Sequence, residues 1–107
     1  MYTIIETPTF TADAEELWSE DDRGKFCTFL AANPEAGSVI PRSGGRRKIR
    51  WIRSGASAGK SGGVRVIYFT RLPSGEIWLL TIYAKSEREN IPAHILKAIR
   101  EAIENDR

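Results

Sequence analysis

The sequence predicts an α+β fold in the order β-α-α-β-β-β-α, a mostly antiparallel sheet with helices packed on one side. Segments rich in β-branched and aromatic residues predict the strands, and apolar residues that recur every three or four positions predict the helices. The chain has 107 residues, of which 41% are hydrophobic and 28% charged. These values are typical of one globular domain, here expected over residues 1–107.

The N-terminal third predicts one strand and two helices. Residues 2–7 (YTIIET) suit a strand that ends before a proline, and Thr9 or Thr11 can cap the first helix. The second helix is expected from Ser19, or the residue after it, to Ala32, with acidic residues at its positive end. The apolar positions expected to face the core are Phe10, Ala14, Leu17, Trp18, Phe26, Cys27, Phe29 and Leu30.

Three strands and a closing helix are expected in the remainder. In 46–53 (RRKIRWIR), alternation places Ile49 and Trp51 on one face of a strand and Lys48 and Arg50 on the other. A loop of small residues leads into a second strand, VRVIYF, and a PSG turn joins it to EIWLLTIYA. The latter is apolar on both faces, which predicts a central strand. An isoleucine at every fourth position of IPAHILKAIREAIEND predicts the last helix.

Several classes of protein are not expected. Cys27 is the only cysteine, which excludes an internal disulfide and a zinc site built on several thiolates. No apolar run approaches the roughly 20 residues needed to cross a bilayer. The N-terminal residues lack the pattern of a signal peptide, so a cytoplasmic location is expected. Gly59-Lys60-Ser61 resembles the end of a phosphate-binding P-loop, but the chain continues into a strand instead of a helix, and no cofactor is expected.

Charge is distributed unevenly along the chain, although the net charge is only +2. Residues 1–35 contain eight acidic and two basic residues, whereas residues 42–75 contain nine basic residues and no acidic residue. A strand-rich segment with this excess of positive charge attracts polyanions such as nucleic acids. The alternative is that acidic residues of the helices neutralise this segment within the fold.

Three cations in the predicted sheet are candidates for a phosphate-binding site. Arg65 stands alone in an apolar strand, so its charged group must reach solvent, a carboxylate or a ligand phosphate. Lys48 and Arg50 share one face of the preceding strand and would meet Arg65 if the two strands pair. The alternative for Arg65 is a structural ion pair with an internal glutamate. The acidic residues lie in the predicted helices, away from the basic strands, and this argues against a metal site.

The segments GGRRKIRW, SGG-VRVIYF and LLTIYAKSE together resemble the RelE superfamily of toxins, and most closely its HigB-like branch. The ETPTF and ANPEAGSVIP segments and the order of elements extend this resemblance over nearly the whole chain. It implies a RelE-like fold and metal-independent cleavage of mRNA in the ribosomal A site. It also implies neutralisation by a cognate antitoxin, often a helix-turn-helix protein.

The resemblance implies a catalytic set of Lys48, Arg50 and Arg65, because family members carry basic residues on the second and third strands. Ser86 and Pro92 stand where the best-studied type has an arginine and a tyrosine, so Lys85 or Arg88 would have to substitute. Lys85 is added to the catalytic set, with a solvated surface position as its alternative. A lysine that acts as a base needs a lowered pKa, which neighbouring cations can supply. The residues expected to contact RNA are Arg46, Arg47, Arg53, Lys60, Tyr68 and Arg88; for Tyr68 a place in the core is the alternative, and for Arg88 a solvated position.

Two other functions remain open from the sequence. A ParE-like toxin shares the expected topology but poisons DNA gyrase without needing a phosphate clamp. A non-catalytic nucleic-acid-binding domain would use the same cations, with an affinity that falls steeply as salt increases.

Overall fold

The computed structural model describes residues 2–52 and 63–84, and they form an α+β fold with a mixed five-stranded sheet and two α-helices. The predicted last helix lies outside the described residues. The described elements are β1 (Thr3–Glu6), α1 (Pro8–Leu17), α2 (Glu20–Ala32), β2 (Ser38–Val39), β3 (Arg47–Ile52), β4 (Gly63–Arg71), a 3₁₀ turn (Leu72–Ser74) and β5 (Glu76–Ala84).

The sheet has the strand order β1-β5-β4-β3-β2. The pairs β2–β3, β3–β4 and β4–β5 are antiparallel, whereas β1 and β5 are parallel. The predicted mostly antiparallel sheet is therefore confirmed, and β5 is an interior strand as its apolar sequence predicts. The short strand β2 was not predicted, because its two residues lie within what the sequence presents as a loop.

The predicted start of the first helix is wrong. Thr7, expected to end the first strand, is the N-cap of α1, and its side chain accepts a hydrogen bond from the Phe10 backbone N–H. Pro8 then occupies the first helical turn, where its missing N–H costs nothing. The Thr7 hydroxyl also lies 3.1 Å from the carbonyl oxygens of Leu79 and Leu80, which ties the start of α1 to β5.

The second helix is confirmed. Ser19 is its N-cap and accepts a hydrogen bond from the Asp22 backbone N–H, and three acidic residues lie in the first turn. The positive end of the helix dipole favours acidic groups there. Phe26 and Leu30 are fully buried, but Phe29 is 39% exposed, so the prediction that it faces the core is wrong.

The two described helices pack on one side of the sheet, as predicted. This side, called here the helix face, contains the larger core cluster: Phe10, Ala14, Trp18, Phe26, Leu30, Val64, Val66, Tyr68, Ile77, Leu79 and Ile82. The opposite side, called here the basic face, contains a smaller apolar cluster of Ile67, Phe69, Leu80 and Tyr83.

An irregularity in β5 explains which of its residues reach the basic face. The pairing of β4 with β5 shifts by one residue between Ile67 and Tyr68, so that Ile67 lies opposite Thr81 and Tyr68 opposite Leu79. Leu80 is the extra residue of a β-bulge, which interrupts the two-residue alternation of side chains. As a result Leu80 and Tyr83, three positions apart, pack in the same cluster.

Tyr68 connects the sheet to the segment between α2 and β2. Its ring is fully buried, its hydroxyl donates a hydrogen bond to the Pro34 carbonyl at 2.9 Å, and it accepts one from the Gly37 N–H at 2.9 Å. A Cβ atom on Gly37 would lie only 2.9 Å from the Lys48 carbonyl oxygen, so this close approach of two backbones requires glycine.

The substitution Tyr68→Phe should lower the free energy of unfolding by about 1–3 kcal/mol, because the buried Gly37 N–H and the partly buried Pro34 carbonyl lose their hydrogen bonds. Urea denaturation at neutral pH measures this loss. Tyr2→Phe is the matched control, because the Tyr2 hydroxyl makes no hydrogen bond within the described residues; it should change stability by less than about 0.5 kcal/mol. Equal losses for the two variants would contradict the structural role of the Tyr68 hydroxyl.

The same side chain predicts a loss of stability in alkali. Burial raises the pKa of Tyr68 above its ordinary value of 10.0, against a smaller lowering by the hydrogen bond from Gly37. Since the pKa is higher in the folded than in the unfolded protein, this contribution is complete below pH 10 and is lost as the pH rises through the folded value. Above pH 10 the wild type should therefore lose stability more steeply than Tyr68→Phe in denaturation curves recorded at several pH values.

Candidate nucleic-acid interface

Two arginines of adjacent strands lie directly opposite each other on the basic face. In the antiparallel pairing of β3 with β4, Arg50 is the register partner of Arg65, and Lys48 is the partner of Ile67. Side chains of directly opposed residues project to the same side of a sheet, with Cβ atoms about 5 Å apart. The predicted convergence of Lys48, Arg50 and Arg65 on one face is therefore found in the structure.

Gly63 brings the two guanidinium groups together. A Cβ atom at this position would lie 3.1 Å from Arg50 Nε and 3.4 Å from Arg65 Nη1, so both groups converge on the space above the glycine. Any larger residue here would have to displace the ends of these side chains. Because Gly63 has no side chain, it leaves room for the two guanidinium groups. Its expected place in a glycine-rich loop did not indicate this role.

The electrostatic environment of the pair favours an anion. Within residues 2–52 and 63–84, neither Arg50 nor Arg65 forms an ion pair, and Arg65 Nη1 is buried without a hydrogen-bond partner. Like charges directly opposite each other in a sheet repel. A phosphate bound between the two guanidinium groups would offset this repulsion. The alternative of a structural pair between Arg65 and a glutamate is not found among these residues.

Arg46 also lies on the basic face, but its expected role as an RNA contact is wrong. The side chain is fully buried, its guanidinium carbon lies 4.7 Å from the centre of the Phe69 ring, and Nη1 donates a hydrogen bond to the Gly44 carbonyl at 2.8 Å. The Arg71 guanidinium carbon lies 5.7 Å from the same ring. Phe69 thus accepts two cation–π contacts, and Arg46 packs within the protein instead of facing a ligand.

Two further residues that were expected to contact RNA lie on the helix face. Arg47 is the register partner of Tyr68, and its Nη1 donates hydrogen bonds to the carbonyls of Glu35 at 3.2 Å and Gly37 at 2.7 Å. Tyr68 is fully buried on the same side with both hydrogen bonds of its hydroxyl satisfied. Both residues fix the segment before β2. The core alternative for Tyr68 is correct, whereas Arg47 lies on the opposite side of the sheet from the arginine pair and its contact with RNA stays a prediction.

The remaining predicted site residues cannot be placed relative to the arginine pair. Arg53, Lys60, Lys85 and Arg88 lie outside the described residues, and their roles remain predictions. The place of Gly63 beside the arginine pair and the packing of Arg71 on Phe69 were not predicted from the sequence. Arg71 ends the strand that contains Arg65 and could have been found from the same two-residue alternation that links positions 65, 67, 69 and 71.

Acidic residues of β1 and of helix α2 have basic partners close to them. Arg23 forms ion pairs with Glu6 and with Glu20, and the Lys25 ammonium lies 3.0 Å from Asp21. Burial by itself lowers the pKa of Arg23, but its hydrogen bond to Glu6 and the nearby negative charges raise it overall. These acidic groups thus have basic partners outside the basic strands, whereas Glu35 lies 3.9 Å from Arg47 of β3.

The half-buried Cys27 lies near this ion-pair cluster. Burial raises the pKa of its thiol, and the positive charge of Arg23 offsets only part of that shift. A raised pKa leaves little thiolate at neutral pH, so the side chain acts as a small apolar group, as predicted.

No protein-family model matches the chain. Within the described residues, no group of three or more histidine, cysteine, aspartate or glutamate side chains is arranged to hold a metal ion. Neither of the described helices has the length and apolar character needed to cross a membrane.

The arginine pair should bind inorganic phosphate. Phosphate is expected to raise the midpoint of thermal unfolding of the wild type more than chloride does at the same ionic strength, because only phosphate bridges two guanidinium groups. Arg50→Ala and Arg65→Ala should reduce this difference to the general stabilisation that phosphate gives by exclusion from protein surfaces. Lys25→Ala removes a charge of the same sign from α2 and should keep the full difference. Equal differences in the wild type, Arg65→Ala and Lys25→Ala would show that phosphate does not bind at the arginine pair.

Proposed function

We propose that this protein is the toxin of a toxin–antitoxin pair, with a RelE-like fold of the HigB-like branch, and that it cleaves mRNA on the ribosome. The observation that carries the proposal is the opposed pair Arg50 and Arg65, two adjacent guanidinium groups that lack carboxylate partners among the described residues. The resemblance to RelE-like toxins supplies the substrate. A cytoplasmic location and neutralisation by a helix-turn-helix antitoxin belong to the same proposal.

The reaction needs a site that stabilises negative charge on phosphorus. The 2′-hydroxyl oxygen of one nucleotide forms a bond to the adjacent phosphorus, and the bond from phosphorus to the 5′-oxygen of the next nucleotide breaks. One proton leaves the 2′-hydroxyl and one is delivered to the 5′-oxygen. Arg50 and Arg65 would hold the non-bridging oxygens, and their fixed charges would stabilise the transition state more than the ground state.

Proton transfer is assigned to lysines in this proposal. Lys48 projects from β3 on the same face as the arginine pair and is half-buried. Lys85 follows Ala84, the last residue of β5, in the sequence. Substitution of Lys48 and of Lys85, one at a time, tests which lysine transfers a proton.

Dependence on the ribosome follows from the few groups that the pair provides. Two arginines bind and stabilise a phosphate, but they do not force the 2′-hydroxyl into line with the leaving oxygen. Correct alignment of reacting groups contributes about 7–11 kcal/mol to catalysis in favourable cases. The ribosome would supply this alignment by holding the mRNA, and the isolated protein would cut free RNA very slowly.

Cleavage in a translating extract is the decisive test. Arg50→Ala and Arg65→Ala should each lower the cleavage rate by about 10²–10³-fold, the usual cost of losing one donor to a developing negative charge. Arg65→Lys should retain part of the activity, since it keeps the charge but loses the two-pronged contact. Lys25→Ala is the matched control and should cleave like the wild type.

The outcomes separate the proposal from its rivals. Equal cleavage by the wild type and Arg65→Ala would refute the assignment of the site. Intact mRNA together with DNA damage in producing cells would favour a ParE-like gyrase poison. Salt-sensitive binding of RNA without cleavage, on ribosomes as well as in solution, would favour a non-catalytic binding domain.

Gly63→Ala tests whether the positions of the two guanidinium groups matter as well as their charge. The added methyl group meets only the ends of flexible side chains, so the fold should be retained. It should nevertheless displace Arg50 and Arg65 by a fraction of an ångström and lower cleavage by about 10-fold or more. Wild-type cleavage by a folded Gly63→Ala protein would show that the geometry of the pair is not critical.

A further inference from the structure

The outer edge of β3 is only half covered by β2. The two strands pair through Ser38 with Lys48 and through Val39 with Arg47, whereas β3 continues to Ile52. Before β2 the chain leaves the strand pairing: the Ala36 N–H donates to the Asn33 carbonyl, and Pro34 and Gly37 hydrogen-bond to the Tyr68 hydroxyl on the helix face. Among the described residues, no strand therefore pairs with the outer edge of β3 beyond Lys48.

The backbone groups that point out of this edge can be identified from the register. The Ile40 N–H donates to the Arg46 carbonyl at 2.8 Å, so Arg46 directs its backbone groups toward β2. Backbone groups alternate in direction along a strand, and the same orientation recurs at Lys48, Arg50 and Ile52. The N–H and C=O of Arg50 and Ile52 therefore face outward beyond the end of β2.

The two sides of this edge differ in chemistry. On the helix face, the Trp51 ring lies 5.7 Å from the ring of Phe29, which is 39% exposed. On the basic face lies the exposed side chain of Arg50, with Ile52 43% exposed beside it. Exposed edges are usually protected by charged side chains or covered by another segment, and this one has apolar surface on both of its sides.

We propose that the outer edge of β3 at Arg50–Ile52 binds an extended segment of a second polypeptide that alternates acidic and apolar residues. Such a segment would form backbone hydrogen bonds with Arg50 and Ile52 as an added strand. Its alternate side chains would then fall on opposite faces, apolar ones against Phe29 and Trp51 and acidic ones beside Arg50. RNA is not the expected occupant, because its backbone lacks the alternating N–H and C=O groups of a strand.

This proposal extends beyond cleavage of RNA and does not depend on it. Arg50 belongs both to the edge and to the arginine pair, so a carboxylate that binds Arg50 would compete with phosphate for the same charge. A polypeptide bound at this edge would therefore block the candidate site from its side, without entering the space above Gly63. Peptide binding can be measured on the full chain whether or not the protein cuts mRNA.

The experiment uses a synthetic peptide of about seven residues, the usual length of a strand, with Asp or Glu alternating with Val or Leu. Amide hydrogen exchange of the full-length protein is followed by NMR. Binding should slow exchange at Arg50 and Ile52 by at least about tenfold, because their outward N–H groups become hydrogen-bonded. The amide of Lys48, already paired with β2, should change little. Binding without protection at Arg50 and Ile52 would overturn the proposal.

Matched peptides and variants test the two chemical requirements. A peptide methylated on the backbone nitrogens that face β3, or with Lys in place of its acidic residues, should bind at least about tenfold more weakly. Phe29→Ala, which removes an exposed ring, should weaken binding, whereas Lys25→Ala should not. Equal affinity for the methylated and parent peptides, or stronger protection of the same amides by an RNA oligonucleotide, would also refute an added strand.

Discussion

The antiparallel pairing of β3 with β4 holds Arg50 opposite Arg65, and every feature of the candidate site depends on that register. The register is enforced from the other side of the sheet, where Val64, Val66 and Tyr68 are fully buried against the helices. A slip of one residue would turn Arg65 into this core and expose its apolar neighbours. Hydrophobic packing on the helix face thus keeps two like charges together on the basic face, although their repulsion opposes it.

Those parts of the fold that follow from local periodicity were predictable. The alternation in RRKIRWIR placed Lys48 and Arg50 on one face, and the lone arginine in VRVIYF marked Arg65 as a residue that needs a polar environment. Ser19 and the acidic residues after it identified the start of α2 in the same way, since capping and the helix dipole act over a single turn. Each of these signals lies within a few residues of the feature it predicts.

Features that depend on contacts distant in sequence could not be predicted. Arg46 and Arg47 are adjacent residues of the same type, but their contacts differ. Arg46 packs on Phe69, whereas Arg47 donates hydrogen bonds to the carbonyls of Glu35 and Gly37. Tyr68 faces the helices because of the alternation in β4, yet its hydrogen bonds to the segment before β2 span more than thirty residues. The β-bulge at Leu80 likewise shifts the faces of β5 in a way that strict alternation does not foresee.

The parallel pairing of β1 with β5 has a consequence for the order in which the molecule assembles. Thr3 is the register partner of Glu76, and Thr7 bonds to the carbonyls of Leu79 and Leu80 across more than seventy residues of chain. During synthesis β1 cannot pair with β5 until β5 has been made. The antiparallel strands β3 and β4 are closer in sequence and can pair earlier. The two arginines would therefore meet before the sheet is closed, and β1 would be among the last strands to join it.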